Sequence, residues 1–381
     1  MTRRHGRMDS VELIELQRVE EIYPWADQWD ALARATDQLV FQSSAWAASW
    51  WSILEPTASM TLAVHRDGAA IDGLLALSRL QRRFHWRVPA AVTYLGLAGS
   101  GIGAADHLGP IASDPAVADA LLASAVSFAD GLPLVLSNVD PSHQAAVDRL
   151  GGAKVITSTP CPSVDLRDRV DPESTWSASR RGDIRRCLRR VADAGFRQEW
   201  TRFDGHDTSR FDELVALHRQ LWNARCREGV LGTRKQAFLI DLAQRLDATD
   251  GAGAWIQTIG NDDGAIAAML AFQFGGTMCS YATGWDPQHR RLGLGILLEA
   301  GGLTTASERG LHRYDFLRGT EQHKLALGGR VETDVTYCQP NGLLGHALFG
   351  RDRLLEHHRP AWQSARTGGL LRGGTAQLVL A

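Results

Sequence analysis

The chain has 381 residues, of which 44% are hydrophobic and 22% are charged, with a formal net charge of -2. This length fits two domains of about 150–200 residues with a core each, and the near-neutral charge argues against a surface built mainly for nucleic acid. Five scattered cysteines and the lack of an unbroken apolar span predict a reduced, cytoplasmic protein without a membrane span. The neighbouring histidines 357–358 have no further ligand close in the sequence, so no metal is expected.

Two pairs of matching stretches organise the chain. Residues 60–77 and 253–272 each contain two apolar runs of strand length around an Asp-Gly turn, which is typical of a β-hairpin. Residues 131–151 and 310–328 each run from a Gly-Leu pair through a short strand and a short helix to a Gly-Gly stop. Because both matches occur in the same order, they indicate a duplicated α/β unit.

Each half therefore reads hairpin, helix, strand, helix, strand. This order favours an α/β (α+β) fold with tandem mixed sheets flanked by helices over a doubly wound parallel sheet. We predict an N-terminal domain at 1–160, a C-terminal domain at 173–345 and a tail at 346–381. The three prolines and weak periodicity of residues 157–172 predict a linker between the two domains.

Three helices are predicted at the start of the second half. The first covers 173–195, begins with Ser177 or Ser179 as its cap, and surrounds an apolar face with arginines. That face consists of Ile184, Leu188 and Val191. The other two helices are predicted at 212–229, ending at Gly229, and at 235–247.

A loop rich in arginine and glycine follows the last hairpin and precedes a helix that ends at Gly310. Its glycines let backbone N–H groups approach a ligand, and the start of a helix offers unpaired N–H groups and partial positive charge. A pyrophosphate fits such a site, whereas the spacings of the P-loop and of the dinucleotide-binding motif are missing. The predicted cofactor residues are Arg290, Arg291, Leu292, Gly293, Leu294 and Gly295.

The spacing Arg-x-x-Gly-x-Gly between strand and helix resembles the acyl-CoA loop of the GNAT superfamily of N-acyltransferases. Segments 41–51, 180–195, 281–287 and 314–324 are similar to the cellulose-biosynthesis-type acetyltransferases, which have two GNAT-like halves and are relatives of Fem-type peptidoglycan aminoacyltransferases. The resemblance implies a tandem GNAT architecture that uses acetyl-CoA or another acyl-CoA. The corresponding loop of the first half, "LAGSGIGAADHLGP", lacks an arginine, so we expect the donor in the second half alone.

The same resemblance implies the catalytic groups. Backbone N–H groups around Tyr281 would polarise the thioester carbonyl. Lys324 stands where many GNAT enzymes have a tyrosine general acid, four residues before the glycine that ends its helix; the alternative is a solvated lysine. Asp315 and Glu321 are candidate bases that act through water. Their alternatives are an ion pair with Arg318 and a favourable acid at a helix N-terminus, respectively.

His218 and Trp222 lie four residues apart on one predicted helical face, where they either line the acceptor cleft or pack in the core. The expected function is transfer of an acyl group, acetyl foremost, from CoA to an amine of a small molecule or of a cell-envelope or polysaccharide precursor. Two alternatives remain. One is a Fem-type transferase using aminoacyl-tRNA, which the arginines at 180–190 would suit. The other is a non-catalytic CoA-binding protein on a GNAT scaffold.

Overall fold

The structure is a computed structural model that describes residues 4–8, 11–85, 88–167, 171–224, 231–343, 345–347 and 349–350. The predicted helix end at Gly229, the histidine pair 357–358 and most of the predicted tail lie outside these residues. Within the described part of the chain, the helices are all too short or too polar to cross a membrane.

The strands, in chain order, are β1 (Arg4–Met8), β2 (Val11–Leu16), β3 (Ser59–Asp67), β4 (Ala70–His85), β5 (Val88–Leu97), β6 (Ile111–Ala112), β7 (Leu134–Val139), β8 (Lys154–Asp165), β9 (Arg197–Phe203), β10 (Ala252–Asn261), β11 (Gly264–Phe274), β12 (Thr277–Trp285), β13 (Arg313–Asp315) and β14 (Arg330–Gln339). The α-helices are α1 (Tyr23–Ala35), α2 (Ser44–Ser49), α3 (Pro115–Ala129), α4 (Pro141–Arg149), α5 (Ala178–Asp193), α6 (Ser209–Ala224), α7 (Thr233–Asp247), α8 (Leu294–Glu308) and α9 (Gln322–Ala326).

The described residues form two compact units. The N-terminal unit takes its residues from Met1–Thr36, Trp50–Thr159 and Thr333–Ala381, and the C-terminal unit takes them from Asp37–Ser49 and Pro160–Glu332. The end of β8 therefore belongs to the C-terminal unit, and most of β14 belongs to the N-terminal unit. The boundaries predicted at 1–160 and 173–345 describe sequence repeats and stay a prediction.

The N-terminal unit is built on a mixed sheet in the order β1-β2-β3-β4-β5-β7-β14, with β6 added beside β4. Strands β5 and β7 run parallel, and the other pairs are antiparallel. The predicted hairpin at 60–77 is confirmed as β3 and β4, and Gly68 in its turn has a φ of +63°. Helices α1 and α3 pack against β4.

The C-terminal unit has the sheet order β8-β13-β12-β11-β10-β9. Strands β12 and β13 run parallel and the rest antiparallel, so the second predicted hairpin, now β10 and β11, is also confirmed. Helices α6, α7 and α8 pack against strands of this sheet. The prediction of tandem mixed sheets flanked by helices is therefore confirmed.

Helix α8 is the centre of the C-terminal core. Its Leu297, Leu298 and Leu303 are buried, together with apolar residues from α5 and from strands β10 to β13. Two helical glycines bring α8 close to the sheet, because a Cβ atom on Gly301 would clash with Gln198 and one on Gly302 would clash with Tyr314. The start of α8 lies at the end of β12, where the Cβ position of Gly295 is 3.8 Å from Trp285 Nε1.

Two sequence predictions are wrong in detail. The predicted linker at 157–172 is strand β8 as far as Asp165, because its prolines accept hydrogen bonds even though they cannot donate them. The Pro160 carbonyl accepts from Gly319 N–H and the Pro162 carbonyl from Phe316 N–H. On α5, Ser177 is confirmed as the cap, but Leu188 of the predicted apolar face is 41% exposed.

Candidate functional site

The predicted donor loop is a short 3-10 helix followed by one left-handed residue. The Asp286 side chain caps residues Pro287–Leu292 by accepting from Gln288 N–H at 2.9 Å. Gly293 then adopts a φ of +73°, and α8 begins at Leu294. A left-handed φ is costly for residues other than glycine, so Gly293 makes this sharp entry possible.

The first turn of α8 has no side-chain cap among the described residues. The early N–H groups of a helix have no partner within the helix, and its dipole makes that end partially positive. A Cβ atom on Gly295 would meet only Trp285 Nε1, at 3.8 Å, so the surface above this turn is open. The start of α8 can therefore accept an anion against its backbone.

The six predicted cofactor residues lie together in this loop, but they contribute different groups. Arg290 and Arg291 are exposed, and neither forms an ion pair with a carboxylate in the described part of the chain. Leu292 and Leu294 pack into the core, so only their backbone faces the loop. Gly293 lies against α5, where its Cβ position is 2.7 Å from Cys187 Sγ.

Strands β12 and β13 diverge ahead of the loop. Their parallel pairing stops at Cys279, whereas β12 stays paired with β11 as far as Trp285. The β11–β12 register shifts between the pairs at Ser280 and Ala282, so the predicted site residue Tyr281 lies at a β-bulge. The part of β12 from Ser280 onward thus turns an edge of backbone groups away from β11.

Tyr281 is held in an aromatic cluster. Its ring centroid lies 5.2 Å from that of Phe272, 6.0 Å from that of Trp46 and 6.3 Å from that of Phe41. The Lys235 ammonium lies 5.3 Å from the same ring, at cation–π distance. Residues 41–46 therefore fix the position of the bulge, and the side chain of Tyr281 serves packing.

Asp315, a predicted base, is fully buried and fixes the end of β13. One of its carboxylate oxygens accepts from Leu317 N–H at 2.8 Å, and the other lies 2.7 Å from Arg313 Nη2. Leu317 has a φ of +54°, so the carboxylate stabilises an unfavourable backbone conformation. These contacts give Asp315 a structural role in the turn.

Lys324 and Glu321 form an ion pair on α9, with 3.0 Å between Lys324 Nζ and a Glu321 carboxylate oxygen. Lys324 is buried, and its ammonium also donates to the carbonyl of Arg318 at 3.0 Å. Burial alone would raise the pKa of Glu321, but the charge of Lys324 and nearby hydrogen bonds outweigh it and lower the pKa. The ion pair and the bond to the Arg318 carbonyl therefore fix the Lys324 ammonium in position.

A buried polar network that the sequence does not reveal lies beside the point where β12 and β13 diverge. Glu299 of α8 accepts from Ser280 Oγ at 3.2 Å and from the Tyr314 hydroxyl at 2.9 Å. Burial raises the pKa of Glu299, although the charge of Lys324 opposes it. The available signal was a single acid in the otherwise apolar run "ILLEAGGL".

His218 lies behind β12 rather than in an open cleft. It is only 4% exposed, and its Nδ1 lies 2.8 Å from the carbonyl oxygen of Thr283. Since a carbonyl can only accept, this Nδ1 carries the hydrogen. Helix α6 comes this close because Gly284 has no side chain to meet the backbone of His218. The rings of His218 and Trp222 are 5.7 Å apart, as their predicted shared face requires.

Comparisons with known proteins agree with this geometry. Residues 178–325 match the family model described as an acetyltransferase (GNAT) domain. No curated protein matches the chain. Among solved structures, FemX has 11% sequence identity and a TM-score of 0.59, over 85% of this chain and 96% of that one. L-PGS from Bacillus licheniformis has 12% identity and a TM-score of 0.53, over 86% of this chain and 96% of that one.

A third similar structure is the C-terminal domain of a putative lysylphosphatidylglycerol synthetase from Agrobacterium fabrum. It has 11% identity and a TM-score of 0.55, over 88% of this chain and 96% of the other. At these identities the likeness concerns the fold. Residues 178–325 are thus similar to the GNAT domain of the matched family model, and the solved structures share the fold of most of the chain.

Proposed function

We propose that the protein is an acyl-CoA-dependent N-acyltransferase, with acetyl-CoA as the first donor to test. The acceptor is an amine of a small molecule or of a cell-envelope or polysaccharide precursor. The observation that supports this most directly is the uncapped start of α8 beside Arg290 and Arg291, at the end of a strand that diverges from its neighbour. That combination offers backbone donors, positive charge and an opening in one place.

In the proposed reaction, the donor pyrophosphate lies against the N–H groups of Leu294 and Gly295, with Arg290 and Arg291 adding charge-assisted contacts. The thioester lies between the diverging strands, where backbone N–H groups of β12 near Tyr281 polarise its carbonyl. Oriented donors of this kind are worth about 3 kcal/mol in a transition state. Holding both substrates in place supplies a further part of the acceleration.

The amine nitrogen attacks the thioester carbon, the carbon–sulfur bond breaks, and the amine loses a proton while the thiolate of CoA gains one. We assign the proton delivered to the thiolate to Lys324. Glu321 holds its ammonium in position, and the charge of Lys324 lowers the pKa of Glu321, which makes it a weaker base than an ordinary carboxylate. The acceptor proton leaves through water, with no residue of the site assigned to it.

A second candidate is a Fem-type transferase that takes its acyl group from aminoacyl-tRNA. The exposed arginines near the end of α5 favour it, since they offer charge to a phosphate backbone. A narrower kinship with the cellulose-biosynthesis-type acetyltransferases and a purely CoA-binding role are further proposals. All of these make different predictions about which donor binds and which donor is consumed.

Thermal unfolding with acetyl-CoA, longer acyl-CoAs and tRNA tests the donor. A ligand at a hundredfold excess over its Kd adds about 2.7 kcal/mol to the free energy of unfolding, which shifts the Tm measurably. We expect such a shift with acyl-CoA. A shift with tRNA alone would support the Fem-type candidate. Acyl-CoA binding without acyl transfer to any amine tested would support the non-catalytic one.

Gly295→Asp tests the site itself. Its side chain has room, because the Cβ position touches only Trp285, so the fold is preserved while a negative charge enters the pyrophosphate site. We expect the acyl-CoA shift to disappear. Gly295→Asn is the matched control, since it adds the same volume without the charge and should retain part of the shift. An undiminished shift in Gly295→Asp would refute the site.

A further inference from the structure

The arginines of α5 fall into two groups. Toward the start of the helix they have partners: Arg180 and Arg186 pair with Asp183, and Arg185 lies 4.0 Å from a carboxylate oxygen of Glu173. Such pairs neutralise charge on a solvated surface and contribute little to stability. The charges of this group are therefore balanced by carboxylates within or next to α5.

Arg189 and Arg190, near the end of α5, differ from that group. Both are exposed, and in the described part of the chain neither forms an ion pair with a carboxylate. Arg190 Nη1 instead donates to the carbonyl oxygen of Arg291 at 3.4 Å, which places its guanidinium at the donor loop. One turn earlier, Cys187 packs against Gly293 of the same loop. The last turns of α5 therefore border the proposed pyrophosphate site.

The charges at this border match one particular donor. CoA carries a pyrophosphate with about two negative charges and a 3′-phosphomonoester with a further 1.5 to 2 at about pH 7. The backbone N–H groups at the start of α8, together with Arg290 and Arg291, suffice to bind the pyrophosphate. Arg190 then remains as an uncompensated positive charge at the edge of that site, and Arg189, the residue before it, is a second exposed charge on the same turn of α5.

We propose that Arg190 of α5 binds the 3′-phosphate of the CoA donor, with the charge of Arg189 adding to the attraction, so that this helix selects CoA over donors lacking that group. The inference rests on the proposed function and extends it to a residue pair outside the donor loop. A phosphomonoester suits a guanidinium group because the guanidinium presents several N–H donors in a fixed plane. The opposing explanation is that arginines near a helix C-terminus merely stabilise the helix dipole.

Calorimetric titration of the full chain with CoA and with 3′-dephospho-CoA separates these explanations. We expect wild type to prefer CoA by about tenfold, which corresponds to one good charge-assisted contact. In Arg190→Gln, and more completely in Arg189→Gln/Arg190→Gln, CoA should bind about tenfold more weakly while dephospho-CoA binds as before. The matched control is Arg185→Gln, which removes an equal charge from the same helix and should change neither affinity.

Each outcome decides a separate point. Equal binding of both ligands by wild type, or an equal loss of both in the double variant, would overturn the 3′-phosphate site while leaving the proposed function intact. Failure of both ligands to bind wild type would overturn the proposed function as well. Binding of deacylated tRNA that depends on Arg190, without any preference for CoA over dephospho-CoA, would also reject the proposal.

Discussion

The two units share one connection, a central strand that leads into a helix and then into a parallel neighbour strand, but they use it differently. In the C-terminal unit, β12 separates from β13 at Cys279, six residues before β12 ends. In the N-terminal unit, β5 is paired with β7 at Leu95 and Gly96, next to its own end. The last residues of the central strand are thus separated from the parallel neighbour in the C-terminal unit, which we call open, and paired with it in the N-terminal unit, which we call closed.

The helix that follows the central strand also differs between the units, because its first turn is uncapped in the C-terminal unit and capped in the N-terminal unit. Helix α8 begins after Gly293 without a side-chain cap, whereas the Asp114 carboxylate accepts from Ala116 N–H at 2.8 Å at the start of α3. The first residue of α3 is Pro115, which has no N–H group to offer. The start of α3 therefore already carries a negative charge and lacks a donor, so it is a poor anion site.

The connecting loops also differ in burial and charge. In the N-terminal unit the loop residue His107 is 1% exposed, with its Nδ1 3.2 Å from an Asp140 oxygen and 3.0 Å from an Asp334 oxygen. The backbone N–H of His107 also donates to a carboxylate oxygen of Asp334 at 2.6 Å. The C-terminal loop instead exposes Arg290 and Arg291. One loop is anchored to carboxylates inside its unit, and the other carries exposed arginines that form no ion pair with a carboxylate in the described part of the chain.

The largest effect expected from this difference is a pH dependence set by Asp334. Burial raises the pKa of Asp334 from 3.8 to about 6, opposed by His107 and aided by the charge of Asp106. The folded unit thus binds this proton more tightly than the unfolded chain does. Its stabilising contribution is complete below pH 3.8 and is lost as the pH rises to about 6, by about 3 kcal/mol at most.

Asp334→Asn should remove that loss, since an amide cannot ionise yet can still accept from His107. Denaturant unfolding from pH 4 to 7 should show the stability of the variant, relative to wild type, increasing with pH. Asp140 does not cause this relative increase of stability with pH. Burial raises its pKa, but the hydrogen bond and charge of His107 outweigh that effect and lower it below 3.8. A constant difference between variant and wild type would show that Asp334 does not titrate in this range.

The sequence predicted the features that depend on neighbours along the chain. Both Asp-Gly hairpins, the Ser177 cap and the glycine-arginine loop follow from local turn and helix chemistry, and the structure contains each of them. Two copies of the hairpin pattern also indicated the duplicated fold. The predicted linker is wrong because a proline lacks only the N–H donor of a strand, and the carbonyls of Pro160 and Pro162 still accept from neighbouring backbone groups.

The contacts that the sequence did not reveal join residues far apart in the chain. Glu299 meets Ser280 and Tyr314, and His107 meets Asp334, only after the strands have assembled. Spacing along the chain carries no record of such pairs. Residue type alone likewise could not show that Asp315 would pair with Arg313 and hold a turn.

A smaller effect separates the two glycines of the open loop. Gly293→Ala should lower the free energy of unfolding by about 2 kcal/mol, because a left-handed φ costs other residues about 1–2 kcal/mol and the added methyl meets Cys187. Gly295→Ala, in ordinary helical geometry with open space, should leave stability unchanged or raise it. Urea unfolding of both variants tests this. Equal effects would mean that the entry into α8 needs no left-handed residue.

The smallest effect tests whether the closed unit could be made to resemble the open one. Asp114→Ala removes the cap of α3 and should cost about 1 kcal/mol of stability. It should create no new CoA site, because Pro115 still lacks an N–H group and β5 still stays paired next to its end. Titration with CoA should therefore give the same stoichiometry as wild type. A second equivalent of CoA bound by Asp114→Ala would mean that one carboxylate is all that distinguishes the two helix starts.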